Sequence, residues 1–176
     1  MSRVLFSSDR IEFTAWRQDD LKDLMMLCAD EQVMRYFPSP LDRDGTQALL
    51  DRLQQHYDDY GYTYYRLLSR ESGEFLGFCG MLYQSGHVVL DDNTDIGWRL
   101  MAHTWRQGLA TEAARRCLQV AADHDLGLID AVTVKDNLGS LAVMKKIGMY
   151  FVKEFHHPKL EGSGLNPCLL YQIQLS

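Results

Sequence analysis

The stretch Trp105-Arg106-Gln107-Gly108-Leu109-Ala110-Thr111 combines residue types that can hold an anion. A helical pattern starts just past Gly108 and runs to about His124, with Ala110, Ala113, Ala114, Cys117, Leu118 and Ala121 on one face. A helix start exposes unpaired backbone N–H groups and the positive end of the helix dipole, and phosphates bind at such ends. Gly108, with no Cβ, lets a ligand come close to the backbone; Ala110 is small, and Arg106 adds positive charge. The stretch has one glycine, unlike a dinucleotide-binding GxGxxG, and it lacks the GxxxxGKS/T of a P-loop. Spacing alone leaves two readings open, a phosphate cradle and an ordinary helix start.

Other residues signal chemistry less strongly. Asp95, on a strand-like run just upstream, reads by itself as a solvated strand residue. Asn137 and Ser140 read by themselves as turn and helix-capping residues. His156 and His157 are neighbours on a strand and point to opposite faces, so they cannot easily share one ion; a surface or substrate-rim role fits them better, and no metal site is expected. Tyr57, Tyr60, Tyr62, Tyr64 and Tyr65 read as core and hairpin packing, with some available to line a cleft. Cys28, Cys79, Cys117 and Cys168 form no CxxC pair and lie among apolar neighbours, which reads as buried free thiols in a reducing compartment.

The elements that must position these residues follow from periodicity. RIEFTAW alternates Ile11, Phe13 and Ala15 against polar neighbours, as a strand does. DDLKDLMMLCADEQVMRYF places Leu21, Leu24, Met25 and Cys28 at helical spacing, with Asp19 as N-cap and FPSPL as the breaker. TQALLDRLQQHYDDY is a second helix, with Ala48, Leu49, Leu53 and His56 or Tyr57 on one side. YTYYRLLS, a turn at RESG and EFLGFCGMLYQ read as a hairpin. Asn93 to Met101 and LIDAVTV are strands, SLAVMKKIGM is a short helix closed by Gly148, and MYFVKEFHH and CLLYQIQL are two last strands. The unit formed by strand 93–101, helix 109–124 and strand 128–134 needs parallel strands in one sheet. It indicates an α+β or α/β layer fold, in which ligands commonly bind beyond the carboxyl ends of the strands.

The 176 residues suit one domain with a proper core, and no repeat or linker divides them. With 46% hydrophobic and 24% charged residues the composition is that of an ordinary soluble globular protein. A net charge of −6 argues against nucleic acid as a main partner and mildly favours cationic substrates. No apolar run approaches a membrane span, and MSRVLFSSDR has no long apolar core of a signal peptide. A cytoplasmic protein without nucleic-acid or membrane partners is expected, with a homodimer left open.

At the glycine turn the chain resembles a family. The GNAT superfamily of acyl-CoA N-acyltransferases carries Gln/Arg-x-x-Gly-x-Gly/Ala between its fourth strand and third helix. The matching residues here are Trp105-Arg106-Gln107-Gly108-Leu109-Ala110, with Trp105 replacing the first Gln/Arg. WxxGxATEA, SDRIEF, GFCGM at 77–81, DIGWRL at 95–100 and VTVKDNLGSLAVMKKIGM at 132–149 are similar, in order, to the branch that includes ribosomal-protein alanine N-acetyltransferases. The resemblance covers residues 8 to 175. It implies a single domain over 1–176 of the α+β class. Its central sheet would be mixed, mostly antiparallel and seven-stranded, with about four flanking helices and a splay between the fourth strand (93–101) and the fifth (128–134).

The resemblance also implies acetyl-CoA as cosubstrate, with no metal. Backbone amides of Arg106, Gln107, Gly108, Leu109, Ala110 and Thr111 would hold the pyrophosphate, and the backbone of Trp98, Arg99 and Leu100 would pair with the pantetheine arm. Asn137 would bond the pantetheine or a bound water; Ser140 would cap the next helix and lie near the thioester sulfur. Asp95, beside the expected thioester, becomes a candidate base. Many relatives place a tyrosine acid seven residues after the asparagine, where this chain has Met144, which cannot act as an acid. Ser140, a water or unassisted departure of the thiolate must serve instead. The implied reaction is acetyl transfer to a primary amine by direct attack in a ternary complex. An α-amine, with pKa roughly 7.7–8.0, is neutral far more often than a lysine near about 10.4, which favours a protein N-terminus as acceptor. The alternatives are acetylation of a polyamine or other small amine, a non-catalytic acyl-CoA-binding or regulatory module, and a nucleotide-binding protein using the same turn.

Overall fold

A central mixed sheet takes its strands from β1 (Val4–Ser7), β2 (Ile11–Thr14), β3 (Tyr64–Ser69), β4 (Phe75–Gln84), β5 (Asn93–Leu100), β6 (Leu128–Val134), β7 (Tyr150–Phe155) and β8 (Cys168–Gln174). The helices are α1 (Leu21–Ala29), α2 (Arg43–Tyr60), α3 (Leu109–Asp123) and α4 (Leu138–Lys146). This computed structural model describes residues 3–86 and 92–176; Met1, Ser2 and His87–Asp91, which the expected domain also spans, lie outside the described residues. The strands lie in the order β1-β2-β3-β4-β5-β6-β8-β7. Every pair is antiparallel except β5 with β6.

The sheet has eight strands, not the seven expected. The addition is β1, four residues long and without a clean alternation of buried and exposed positions, so period-2 patterning does not reveal it. It is held by tertiary contact: the Phe6 ring stacks on Phe13 with centroids 4.5 Å apart. The first helix is also shorter than periodicity suggests. It ends at Ala29 because Asp30 turns extended and its Oδ1 accepts from the N–H groups of Gln32 and Val33, a local bond that competes with the helix. Asp19 does not cap it. Gln18–Asp20 forms one 3-10 turn, and it is the Asp20 carboxylate that accepts from the Arg17 N–H at 2.8 Å. The second helix starts early, at Arg43, because Asp42 accepts from Gly45 N–H at 2.8 Å. Its buried stripe is Thr46, Leu50, Leu53 and His56, while Ala48 is exposed. Thr46 can face the core because its hydroxyl donates to the Asp42 carbonyl at 2.7 Å.

The two faces of the sheet bury separate clusters. On one, the small residues Ala113, Ala114, Cys117 and Ala121 bring α3 close to Ile96 and Leu100 of β5. On the other, α1 and α2 cover Phe78 and Leu82 of β4 with Leu24, Leu27, Leu50 and Leu53. All the cysteines are buried and free. Among the described residues no helix is long and apolar enough to cross a membrane.

His56 ties α2 to the sheet. Its Nδ1 faces the Tyr62 carbonyl at 2.7 Å and its Nε2 accepts from the Tyr83 N–H at 2.8 Å, which requires the neutral ring with the proton on Nδ1. Burial pushes its pKa below the ordinary 6.5, outweighing the Tyr62 carbonyl, which raises it. The folded state therefore binds the proton less readily than the unfolded chain. The stability from this contact is complete above about pH 6.5 and is lost as pH falls below it. His56→Gln, which can offer the same donor and acceptor, is expected to keep most of the stability at pH 8 and to flatten the loss below about pH 6.5. Denaturant titrations of both proteins across that range check this, and parallel pH profiles would contradict it.

Candidate active site

The parallel strands β5 and β6 pair only at Thr94↔Ile129 and Asp95↔Asp130. Beyond those positions β5 continues against β4 to Gly77↔Leu100, and β6 continues against β8 to Val134↔Cys168. The two strands thus part toward their carboxyl ends, and the expected splay is present. Trp98, Arg99 and Leu100 lie along its β5 edge. The Leu100 carbonyl is already taken by the Trp105 indole N–H at 3.0 Å, so Trp105, in place of the usual Gln/Arg, ties the turn back to the strand end.

The glycine turn stands at the mouth of this splay. Gly108 is the N-cap of α3 at φ +77°, where a side chain is strained, and no side chain caps the helix. Arg106 is also left-handed, at φ +61°. Alternation of backbone hand turns successive N–H groups to one side, and Gly108, Leu109, Ala110 and Thr111 carry the helix-start N–H groups of α3. Thr111 and Leu109 are buried, and the Gln107 side chain folds back to donate to the His103 carbonyl at 3.2 Å.

The surroundings add charge that sequence reasoning missed. Arg10, from the β1–β2 turn, donates Nη1 to the Gln107 carbonyl at 2.9 Å, and its Nη2 lies 3.5 Å from where a Cβ on Gly108 would stand. Glu112 holds it there: the carboxylate accepts from Arg10 Nε at 2.7 Å, from the Arg10 N–H at 2.8 Å and from Ser8 Oγ at 2.7 Å. Those bonds hold the Glu112 carboxyl below its ordinary range although burial opposes them. Arg10, Arg115, Arg116 and Lys146 share an open pocket of about 600 Å³ beside Gly108. No motif links these positions; only the fold brings the hairpin and α4 to the start of α3.

At the other side of the mouth, Asn137 follows β6. Its Oδ1 accepts from the Ser140 N–H at 3.2 Å, so Asn137, not Ser140, caps α4. Ser140 is the third helical residue, where a side chain cannot reach the open N–H groups but its own N–H is one of them. Neither the Asn137 side-chain NH2 nor the Ser140 hydroxyl has a partner among the described residues, and both remain available to a ligand. Met144 is buried in the cluster beneath α3.

Asp95 lies at the root of the splay, on the sheet face away from α3. It accepts from Tyr64 Oη at 2.6 Å and from Gln84 Nε2 at 2.9 Å, and Gln84 in turn accepts from Arg52 Nη2 at 3.1 Å. Tyr64 can reach it because Gly97 intervenes: a Cβ there would stand 2.8 Å from the ring. Burial pushes the Asp95 carboxyl up to about 6 despite these donors. The same burial, with the Asp95 charge, pushes the Tyr64 phenol well up. The neighbouring Asp130 is buried and accepts from Asn93 and Gln172 amides at 3.0 and 2.8 Å. The structure therefore gathers the glycine turn, the end of β5 and the start of α4 around the mouth, and leaves Asp95 at the closed end.

This geometry has a counterpart among known proteins. A model of the acetyltransferase (GNAT) domain family matches residues 10–150. The chain belongs to this family. It is 30% identical over 150 residues to the uncharacterized protein YkkB of Bacillus subtilis (strain 168), covering 83% of this chain and 85% of that one. Its fold is similar to that of a GNAT-family acetyltransferase from Bacillus anthracis, with TM-score 0.79, 19% identity and 96% of each chain covered. It is likewise similar to RimL, a ribosomal alpha-N-protein acetyltransferase in complex with coenzyme A, with TM-score 0.79, 14% identity and 98% of each chain covered. At these identities the likeness to the solved structures is one of fold.

The raised pKa of Asp95 in this GNAT chain has a thermodynamic sign. A carboxyl at about 6 when folded and 3.8 when unfolded binds protons more readily in the folded state, so its ionisation weakens the fold as pH rises through that window. Asp95→Asn keeps an acceptor for Tyr64 and removes the ionisation. At pH 7 it is expected to be more stable by on the order of 1–2 kcal/mol, with the gain fading as pH falls from about 6 and gone below about pH 4. A variant less stable than the parent at pH 7 in urea titrations would show that the carboxylate is not held at a cost.

Proposed function

We propose that residues 1–176 form one N-acetyltransferase domain that moves the acetyl group of acetyl-CoA to a primary amine, with a protein N-terminal α-amine as acceptor. The observation that carries this reading is the unclosed β5–β6 pair with an uncapped, glycine-started helix at its mouth. A chain arm with amide groups can fill such an opening by pairing with the free edge of β5, and a pyrophosphate can take the N–H groups of Gly108 to Thr111. Arg10, Arg115 and Lys146 supply positive charge beside it. The RimL structure, which holds coenzyme A, supports the choice of cosubstrate, and its described activity supports an α-amine acceptor. The buried, free cysteines support a reducing, cytoplasmic setting.

When bound, acetyl-CoA supplies the thioester acyl group. The amine nitrogen bonds to the acyl carbon, the carbon–sulfur bond breaks, and the amine loses a proton. Asp95, with its pKa moved toward neutrality, takes that proton through water, because Tyr64 and Gln84 enclose the carboxylate. Ser140, on the mouth and without a partner, hydrogen-bonds the departing sulfur, since Met144 is buried and has no proton to give.

Two outcomes test this. Acetyl-CoA at 100 times its Kd should stabilise the protein by about 2.7 kcal/mol, and Gly108→Val should abolish most of that shift by crowding the turn. Equal calorimetric binding by the variant would place the phosphate site elsewhere. With acetyl-CoA and short peptides bearing free N-termini, thiol release should appear, and Asp95→Asn should lower kcat with partial rescue at pH 9 as the amine becomes neutral unaided. Absence of thiol release with any amine would leave a non-catalytic acyl-CoA-binding module.

A further inference from the structure

Two arginines flank Phe78 in one row of the sheet face away from α3: Arg66 pairs with Phe78 across β3 and β4, and Arg99 pairs with Phe78 across β4 and β5. Both lie over aromatic rings. Arg66 is neutralised, with Asp20 at 3.5 Å and Asp23 against its Nη2 at 2.5 Å. Arg99 is not. Among the described residues no carboxylate pairs with it, its Nε is buried without a partner, and its Nη1 donates only to Cys28 Sγ at 3.2 Å. Burial pushes the Cys28 thiol up, so that sulfur stays protonated and carries no charge. The guanidinium is held between Phe37, 4.2 Å from its centroid, and Phe78 at 5.0 Å. The rings satisfy none of its N–H donors, and a guanidinium with an unpartnered Nε has donor capacity left for a carboxylate.

A buried cation without a counter-charge is expensive, and the stacking rings repay only part of that cost. Its place suggests what balances it. Arg99 is on the same face as Asp95 and Gly97, under the exposed Phe37 of the segment between α1 and α2. We infer that Arg99 is the receptor for a carboxylate carried by the acceptor, so that the acceptor is an anionic amine. This rests on the proposed amine acetylation. Arg99 lies four residue steps along the strand from Asp95, about 13 Å, so the carboxylate belongs several bonds from the amine, as in an acidic side chain one residue after a free N-terminus, and not on the same α-carbon.

The test compares Ala-Glu-amide with Ala-Gln-amide as acceptors at saturating acetyl-CoA, which differ only in that carboxylate. The parent should favour the acidic peptide at least 10-fold in kcat/KM, mainly through KM. In Arg99→Gln the ratio should fall to about one, and Arg99→Lys should restore part of it. Because the ratio is read within each variant, a change in cofactor binding cancels. A ratio near one in the parent, or the parent's ratio kept in Arg99→Gln, overturns the inference, and the first of these does so whether or not a variant folds. If neither peptide is acetylated, the N-terminal amine reading fails separately. Calorimetry with glutarate then decides the anion site: binding to the parent and not to Arg99→Gln supports it, and equal or absent binding overturns it.

Discussion

Past Asp95 and Asp130 the facing edges of β5 and β6 have no strand partner, and backbone N–H and C=O groups left in that state must bond to something else. The opening cannot close by a shift of one strand. β5 is paired along its whole length with β4, and β6 with β8, so each edge is anchored from outside. Only the roots of the pair touch, and α3 spans the crossover that a parallel pair requires. Its small-residue face lets it lie flat on the sheet, which puts the start of the helix at the carboxyl end of β5. The slot between strands and the uncapped helix start at its mouth are therefore one feature of topology.

Electrostatics follow the same division. The chain carries a net charge of −6, yet four basic side chains surround the start of α3. Glu112, in the first turn of that helix, could compete with a phosphate for the helix dipole. It does not, because Ser8 and Arg10 draw its carboxylate toward the β1–β2 hairpin. The same contact lays Arg10 over the glycine turn. The turn between the two four-residue strands β1 and β2 thus helps to set the charge at the start of α3.

The glycine turn, the α3 stripe, the hairpin and the splay were legible because each leaves a local trace: one glycine before a helical period, alternation about a turn, and an ordered set of weak motifs. The first helix was overextended because its apolar spacing continues past Ala29, while the bond that stops it belongs to the Asp30 side chain. Ser140 was read as a cap because it is a serine near a helix start; the cap is decided by which side chain accepts an N–H, and that is Asn137. Arg10 and Asp130 were not picked out at all, and Tyr64 only as one of five tyrosines read as packing with some available to line a cleft. Each reaches the site across the sheet or around a helix, and single-sequence periodicity carries no information about such partners.

Three departures from local comfort lie between Asp95 and Arg106: a carboxylate whose ionisation burial opposes, a guanidinium whose buried Nε has no partner, and a left-handed arginine in the turn. A left-handed non-glycine residue costs about 1–2 kcal/mol by itself. The same backbone cost also falls on Asp92 and on Asp125 just past the end of α3, while the cluster buried against α3 is mostly apolar. A buried Thr14 hydroxyl without a partner lies apart, on β2, and nothing in the structure explains it. What is particular to β5 is that its costs fall on charged side chains, the Asp95 carboxyl and the Arg99 guanidinium, and strain of that kind is common where a protein meets its ligands. In the proposed reading Arg99, on the α1–α2 face, meets the acceptor and the mouth of the splay meets the cofactor, so that the two substrates would reach β5 from different sides of a single sheet.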